Sequence, residues 1–190
     1  MALEEIFNMR ATGIVRRIDD LGRIVIPKEI RRTLRIRETD PLEIFTDKEG
    51  QVILKKYSPI GELGEFAESY AQSLAGVTGK TVCVCDRDQI IAAAGNAKRQ
   101  LINKPVGRRM EIALEDRKTI VADLNDKEYV PVSEDVDVEY TSQAISPIIC
   151  GGDVLGAVIM LSNDSKAEFS DTEKQLAMTA ADFLGRQMEA

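Results

Sequence analysis

The sequence predicts a two-part α+β protein. A small unit of two hairpins around a short helix completes its core in a dimer, and a larger domain of strand pairs flanked by helices follows. Three observations predict it. Charge is split along the chain. Short apolar runs alternate at strand spacing between glycine-containing turns. Two later stretches carry apolar residues at helical spacing. The 190 residues, 44% apolar and 30% charged, suit one or two soluble domains.

The first part is the basic one. The formal net charge is -7, yet residues 1–60 carry 12 Lys+Arg against 10 Asp+Glu. Residues 61–190 carry 13 against 22. Between residues 8 and 37, nine basic residues face only Asp19, Asp20 and Glu29, and all nine except Lys28 are arginine. A local patch of this kind can hold a polyanion on an acidic chain, because salt limits the reach of distant charges to about 8–10 Å. Arginine offers a planar donor fork that matches phosphate oxygens and guanine edges.

Residues 12–18 and 23–26 are strand candidates on either side of the turn Asp19-Asp20-Leu21-Gly22. Pro27 suits the first position of a helix, where its missing N–H costs nothing, and the helix should end near Leu34. Ile30 and Leu34 share one face; Arg31, Arg32 and Arg35 lie mostly off it. Residues 41–46 and 51–57 form a second strand pair across Asp47-Lys48-Glu49-Gly50. The unit is too short to bury much surface alone, yet Ile14, Ile18, Ile24, Ile26, Ile30, Leu34, Leu42, Ile44, Val52 and Leu54 all need cover. A dimer with one shared core answers both facts.

The second part begins after the short connector 58–61. Leu63, Phe66, Ala67, Tyr70 and Leu74 follow helical spacing, with Gly76 and Gly79 expected to end that helix. Strands are expected at 80–85 and 89–94, helical pieces within 97–116, and strands at 119–123 and 142–149 around a polar, acid-rich excursion. Cys150-Gly151-Gly152-Asp153 is a hairpin turn leading into a buried strand over 154–161. Ser170 caps a last helix, with Glu173 in capping-box position.

Several function classes are excluded or disfavoured. There is no histidine, so serine–histidine and cysteine–histidine catalysis within one chain is ruled out, and the commonest zinc ligand is missing. No catalytic residue or metal ligand is assigned, no cofactor is expected, and an enzyme is not the expected reading. Cys83, Cys85 and Cys150 are an odd number, and the first two share one face of a strand as small buried side chains. No apolar run is long enough to cross a bilayer and the start lacks a secretion signal, so a cytoplasmic location is expected.

The run from Thr12 through Ile14-Val15-Arg16-Arg17-Ile18-Asp19-Asp20-Leu21-Gly22-Arg23 and Pro27 to Leu34, continuing through Leu42–Phe45 and Val52–Tyr57, resembles the AbrB-type swapped-hairpin domain over residues 8–58. That resemblance implies an intertwined, barrel-like homodimer that binds double-stranded DNA through Arg16, Arg23, Arg31 and Arg32, with Arg10 and Arg17 as weaker candidates. Asp19, Asp20 and Gly22 would shape the loop that presents Arg23. Residues 60–190, with Ala144 to Ile159 as signature, resemble the GAF fold, a central antiparallel sheet carrying helices. Such domains either sense a small molecule or serve assembly alone, and no particular ligand is implied. The two together resemble the stage V sporulation protein T family. This implies a cytoplasmic, nucleoid-associated regulator of forespore genes, activator and repressor, assembled as a homotetramer through helices at residues 62–74 and 170–188. The competing reading is an antitoxin-like or protein-binding adaptor whose DNA contacts serve autoregulation.

Overall fold

A computed structural model describes residues 12–136, 140–164, 166 and 169–189. By its contacts the chain divides into one unit up to Asp40 and a second from Pro41.

In the first unit, helix α1 spans Lys28–Thr33, and Pro27 stands one place before the expected first helical position, as the N-cap residue with an extended backbone (φ -58°, ψ 147°). It closes with the N–H of Leu34 on the carbonyl of Ile30 at 2.9 Å. The turn expected at residues 19–22 is present. The N–H of Gly22 bonds the carbonyl of Asp19 at 3.0 Å, and the N–H of Asp19 bonds the carbonyl of Arg23 at 3.1 Å. Gly22 sits at φ +76°, a conformation costly for any residue with a Cβ. The flanking segments 12–18 and 23–26 differ from the expected strands, because no ladder pairs them among the described residues. Their apolar side chains stay open to solvent, with Val15 at 85% and Val25 at 73% exposure. A strand needs both a hydrogen-bonding neighbour and apolar cover, and one chain supplies neither here.

The second unit opens with a hairpin. Strands β1 (Leu42–Thr46) and β2 (Val52–Lys56) pair from Leu42↔Lys56 to Thr46↔Val52. Asp47 Oδ1 organises the turn by accepting the N–H groups of Glu49 and Gln51 at 2.9 and 2.8 Å. Helix α2 (Pro59–Glu62) is capped by Ser58, whose Oγ accepts from the N–H of Gly61 at 3.2 Å. Helix α3 (Gly64–Thr78) runs through Gly76, contrary to expectation, and stops at Gly79, where φ reaches +67°. An exposed glycine within a helix costs only about 1 kcal/mol, whereas the left-handed turn at Gly79 ends the helix.

The remaining elements are β3 (Thr81–Asp86), β4 (Ile90–Ala94), α4 (Lys98–Leu101), α5 (Arg108–Glu115), β5 (Ile120–Asp123), β6 (Ser142–Cys150), β7 (Asp153–Ser162) and α6 (Asp171–Gln187). The five strands lie in the order β4-β3-β7-β6-β5, antiparallel throughout. Strand alternation sends side chains to two cores. On one face Cys83, Cys85, Ile145, Ile159 and Leu161 meet Leu101, Met110 and Leu114 of α4 and α5. On the other, Val82, Val84, Ala144, Val158 and Met160 meet Ala67 and Ala71 of α3 and Ala177, Ala180 and Leu184 of α6. Burial pushes the Cys85 thiol up to about 12 and the Cys83 thiol higher still, which fits their reading as structural residues.

Two glycines set close approaches. A Cβ on Gly156 would meet the carbonyl oxygen of Cys85 at 1.9 Å, and one on Gly185 would meet that of Ile149 at 2.4 Å. The polar excursion is tied down by the buried amide of Gln143, which pairs with both backbone groups of Val130 at 2.8 and 2.6 Å.

Candidate nucleic-acid interface

Of the basic residues of the N-terminal unit, Arg23 is held by a local turn. Asp19 organises the turn. Its Oδ1 accepts the N–H groups of Leu21 and Arg23 at 3.0 and 2.8 Å, and its Oδ2 accepts Nε of Arg23 at 2.8 Å. This is the side-chain-to-backbone bonding that makes aspartate a turn former. The backbone N–H of Arg23, followed by its guanidinium, holds the Asp19 carboxyl below its ordinary range. The Arg23 side chain is nevertheless 68% exposed, so most of its donors face solvent.

Arg31 and Arg32 stand side by side on α1, exposed and half-buried respectively in the order Arg32 and Arg31. Nη1 of Arg31 lies 3.9 Å from Oε1 of Glu38, an ion pair at the edge of contact. Arg16 and Arg17 are exposed on the unladdered segment before the turn, and Arg16 Nη1 donates to the carbonyl of Val15 at 3.4 Å. Arg10 lies outside the described residues. The structure therefore groups Asp19 with Arg23 and Arg31 with Arg32. It records no bond among the described residues that joins the two groups. Such an array can neutralise phosphates and offer forks to base edges, chemistry that needs no cofactor.

The second unit holds a network that sequence reasoning missed. Asp86, buried at the end of β3, accepts the N–H groups of Asp88 and Gln89 on Oδ1, each at 2.7 Å, and the Oγ of Ser58 on Oδ2 at 2.9 Å. Lys56 of β2 pairs with Asp88 in the same β3–β4 turn. The hairpin and the α2 cap are thereby fastened to the turn of the large sheet. An Asp-x-Asp turn was the available signal, but its partners lie about thirty residues away in sequence and no local pattern reveals them. The helices expected to serve assembly are α3 and α6. Tyr70 and Phe183 stack between them at 5.2 Å, and Phe66 and Met178 remain exposed. On the opposite face the buried Tyr140 hydroxyl has no hydrogen-bond partner among the described residues.

Residues 62–189 match the family described as "Stage V sporulation protein T C-terminal, transcription factor", and residues 15–62 match "Antidote-toxin recognition MazE, bacterial antitoxin". Over 181 residues, 95% of this chain and 99% of the relative, the sequence is 50% identical to "Stage V sporulation protein T" of Bacillus subtilis (strain 168). Over 51 residues it is 63% identical to "Transition state regulatory protein AbrB" of the same organism, covering 27% of this chain and 52% of that one. Among solved structures, a methyl-accepting chemotaxis protein (residues 122 to 287) superposes with a TM-score of 0.54 at 20% identity, over 68% of this chain and 90% of that one. The last likeness concerns the fold alone.

Proposed function

The chain belongs to the stage V sporulation protein T family of transcription factors, and from that premise we propose that it is a DNA-binding regulator of sporulation genes whose contacts come from arginines of the N-terminal unit. Arg16, Arg23, Arg31 and Arg32 are the principal contacts, and Arg10 and Arg17 add weaker ones. The observation that carries this reading is the turn 19–22, which fixes the backbone of Arg23 while leaving its side chain largely exposed, a few residues ahead in sequence of the helix bearing Arg31 and Arg32. Acidic composition does not oppose it, since the basic excess is local.

Function divides at the connector. Residues 8–58 bind DNA and form a homodimer, and residues 60–190 assemble two such dimers through α3 and α6. The uncovered apolar row of the first unit and the exposed aromatic residues on the two helices support this division. The protein acts in the cytoplasm on the nucleoid, as activator and repressor of forespore genes, and catalyses no reaction. A small-molecule effector of unidentified chemistry would act through the second domain. An antitoxin-like role takes support from the match of residues 15–62, but the five-stranded domain that follows is a folded body rather than a wrapping tail.

The test is DNA binding by the full chain, followed by fluorescence anisotropy across a salt series. Arg23→Ala should weaken binding about tenfold or more while the melting curve stays unchanged. Unaltered affinity would remove Arg23 from the interface.

A further inference from the structure

Arg23 does not present its whole guanidinium. Five N–H groups point along two usable edges: a side edge containing Nε, and an end edge formed by Nη1 and Nη2. Asp19 Oδ2 occupies Nε at 2.8 Å, while Oδ1 of the same carboxylate fixes the backbone N–H of Arg23 at 2.8 Å. Backbone and side chain are thus held by one group, across one turn of four residues. Among the described residues no hydrogen bond engages Nη1 or Nη2, and the side chain is 68% exposed.

The carboxylate has a second effect. It places a negative charge next to the arginine, which a phosphate approaching that arginine must also meet. A guanine edge, with neutral acceptors at O6 and N7, meets much less repulsion. The pair therefore discounts loose, purely ionic contact and keeps the contact that needs two aligned acceptors.

We propose that Asp19 is a specificity-determining residue that steers the end edge of Arg23 onto the O6 and N7 acceptors of a guanine in the major groove and weakens its grip on phosphate. The proposal rests on Arg23 being a DNA contact, as assigned above. It gives Asp19 a role beyond shaping the turn.

The experiment uses the full chain and three probes. The first is the duplex that the wild-type chain enriches from a random pool. The second is that duplex with 7-deazaguanine in place of guanine, and the third is poly(dA–dT). The variants are Arg23→Ala, Asp19→Asn and Asp19→Ser; the serine keeps an acceptor for the turn amides without the charge, in case asparagine disturbs folding. The wild type should lose about tenfold in affinity on the 7-deaza duplex. Both Asp19 variants should bind poly(dA–dT) more tightly, with a salt slope steeper by about 0.9, and should lose most of the discrimination between the first two probes. Arg23→Ala should bind the enriched duplex weakly and ignore the base substitution. Asp19 variants with wild-type discrimination and slope would overturn the proposal. So would a wild type indifferent to 7-deazaguanine while Arg23→Ala still binds weakly, because Arg23 would then hold phosphate. Wild-type behaviour of Arg23→Ala on every probe would instead overturn the underlying assignment of Arg23.

Discussion

A methyl group at position 156 would lie 1.9 Å from the carbonyl oxygen of Cys85, with backbone rather than flexible side chain as the obstacle. Gly156→Ala should therefore destabilise the sheet by about 3 kcal/mol, read as a lower urea midpoint. Gly76→Ala should do the opposite. Its Cβ meets nothing within 4 Å on the exposed face of a helix, so a gain of about 1 kcal/mol is expected in the same measurement. The buried thiols give a third residue-scale expectation. Cys85 ionises near its ordinary value of about 9 when unfolded but only at about 12 when folded. Between those values the unfolded chain has lost a proton that the native one retains, so stability falls as pH rises through that window. Melting temperatures measured from pH 8 to 11 should show the decline, and Cys85→Ala should lessen it, with the remainder due to Cys83. At this scale the sequence was partly legible. Arg23, Arg31 and Arg32 stand out by residue type and by their turn and helix context. Asp86 does not, because its Ser58 partner lies 28 residues away and the burial that gives the bond its importance is a tertiary property.

Elements were legible where their signals are local. Helix α6 begins where the Ser170/Glu173 pair places it, with the N–H of Ser170 on Glu173 Oε2 at 2.9 Å and the N–H of Thr172 on Ser170 Oγ at 3.2 Å. Ser170→Ala should cost about 1 kcal/mol, measured by thermal melting, because it strips an acceptor from the exposed amides of the first turn. Gly79 ended α3 and Gly76 did not, although both are glycine. The difference lies in backbone conformation, which the residue letter permits but does not dictate. Strand pairing across long separations was the least legible. Hairpins β3–β4 and β6–β7 follow from their turns, whereas the central β3–β7 pairing, Thr81↔Leu161 through Asp86↔Gly156, joins residues 70 to 80 positions apart. Segments 12–18 and 23–26 carry strand composition without a ladder in one chain, since pairing also requires a neighbour that local sequence does not contain.

For the whole molecule, charge and exposed apolar surface make the governing terms. The logarithm of DNA affinity should fall linearly with the logarithm of salt concentration, losing about 0.9 in slope for each phosphate neutralised. A flat response in anisotropy would contradict an arginine-based grip. The apolar side chains left open in the first unit, from Ile14 and Val15 to Ile24 and Val25, should be covered in solution by a second copy. Sedimentation of the full chain should give a dimer or a larger even assembly, and a monomer that stays folded at micromolar concentration would sink that view. The division into a basic first part and an acidic second part was readable from composition alone. The Lys56–Asp88 and Ser58–Asp86 links, which fasten the β1–β2 hairpin and its connector to the large sheet, were not.

That open apolar row also bears on dosage. When a binding unit exists only as a pair, its abundance at low supply rises with the square of the number of chains made. Halving synthesis would then leave about a quarter of the competent species, and promoter occupancy would respond to expression as a threshold rather than a proportion. The same residues that leave the lone chain unfinished would sharpen the moment at which a developmental programme turns on.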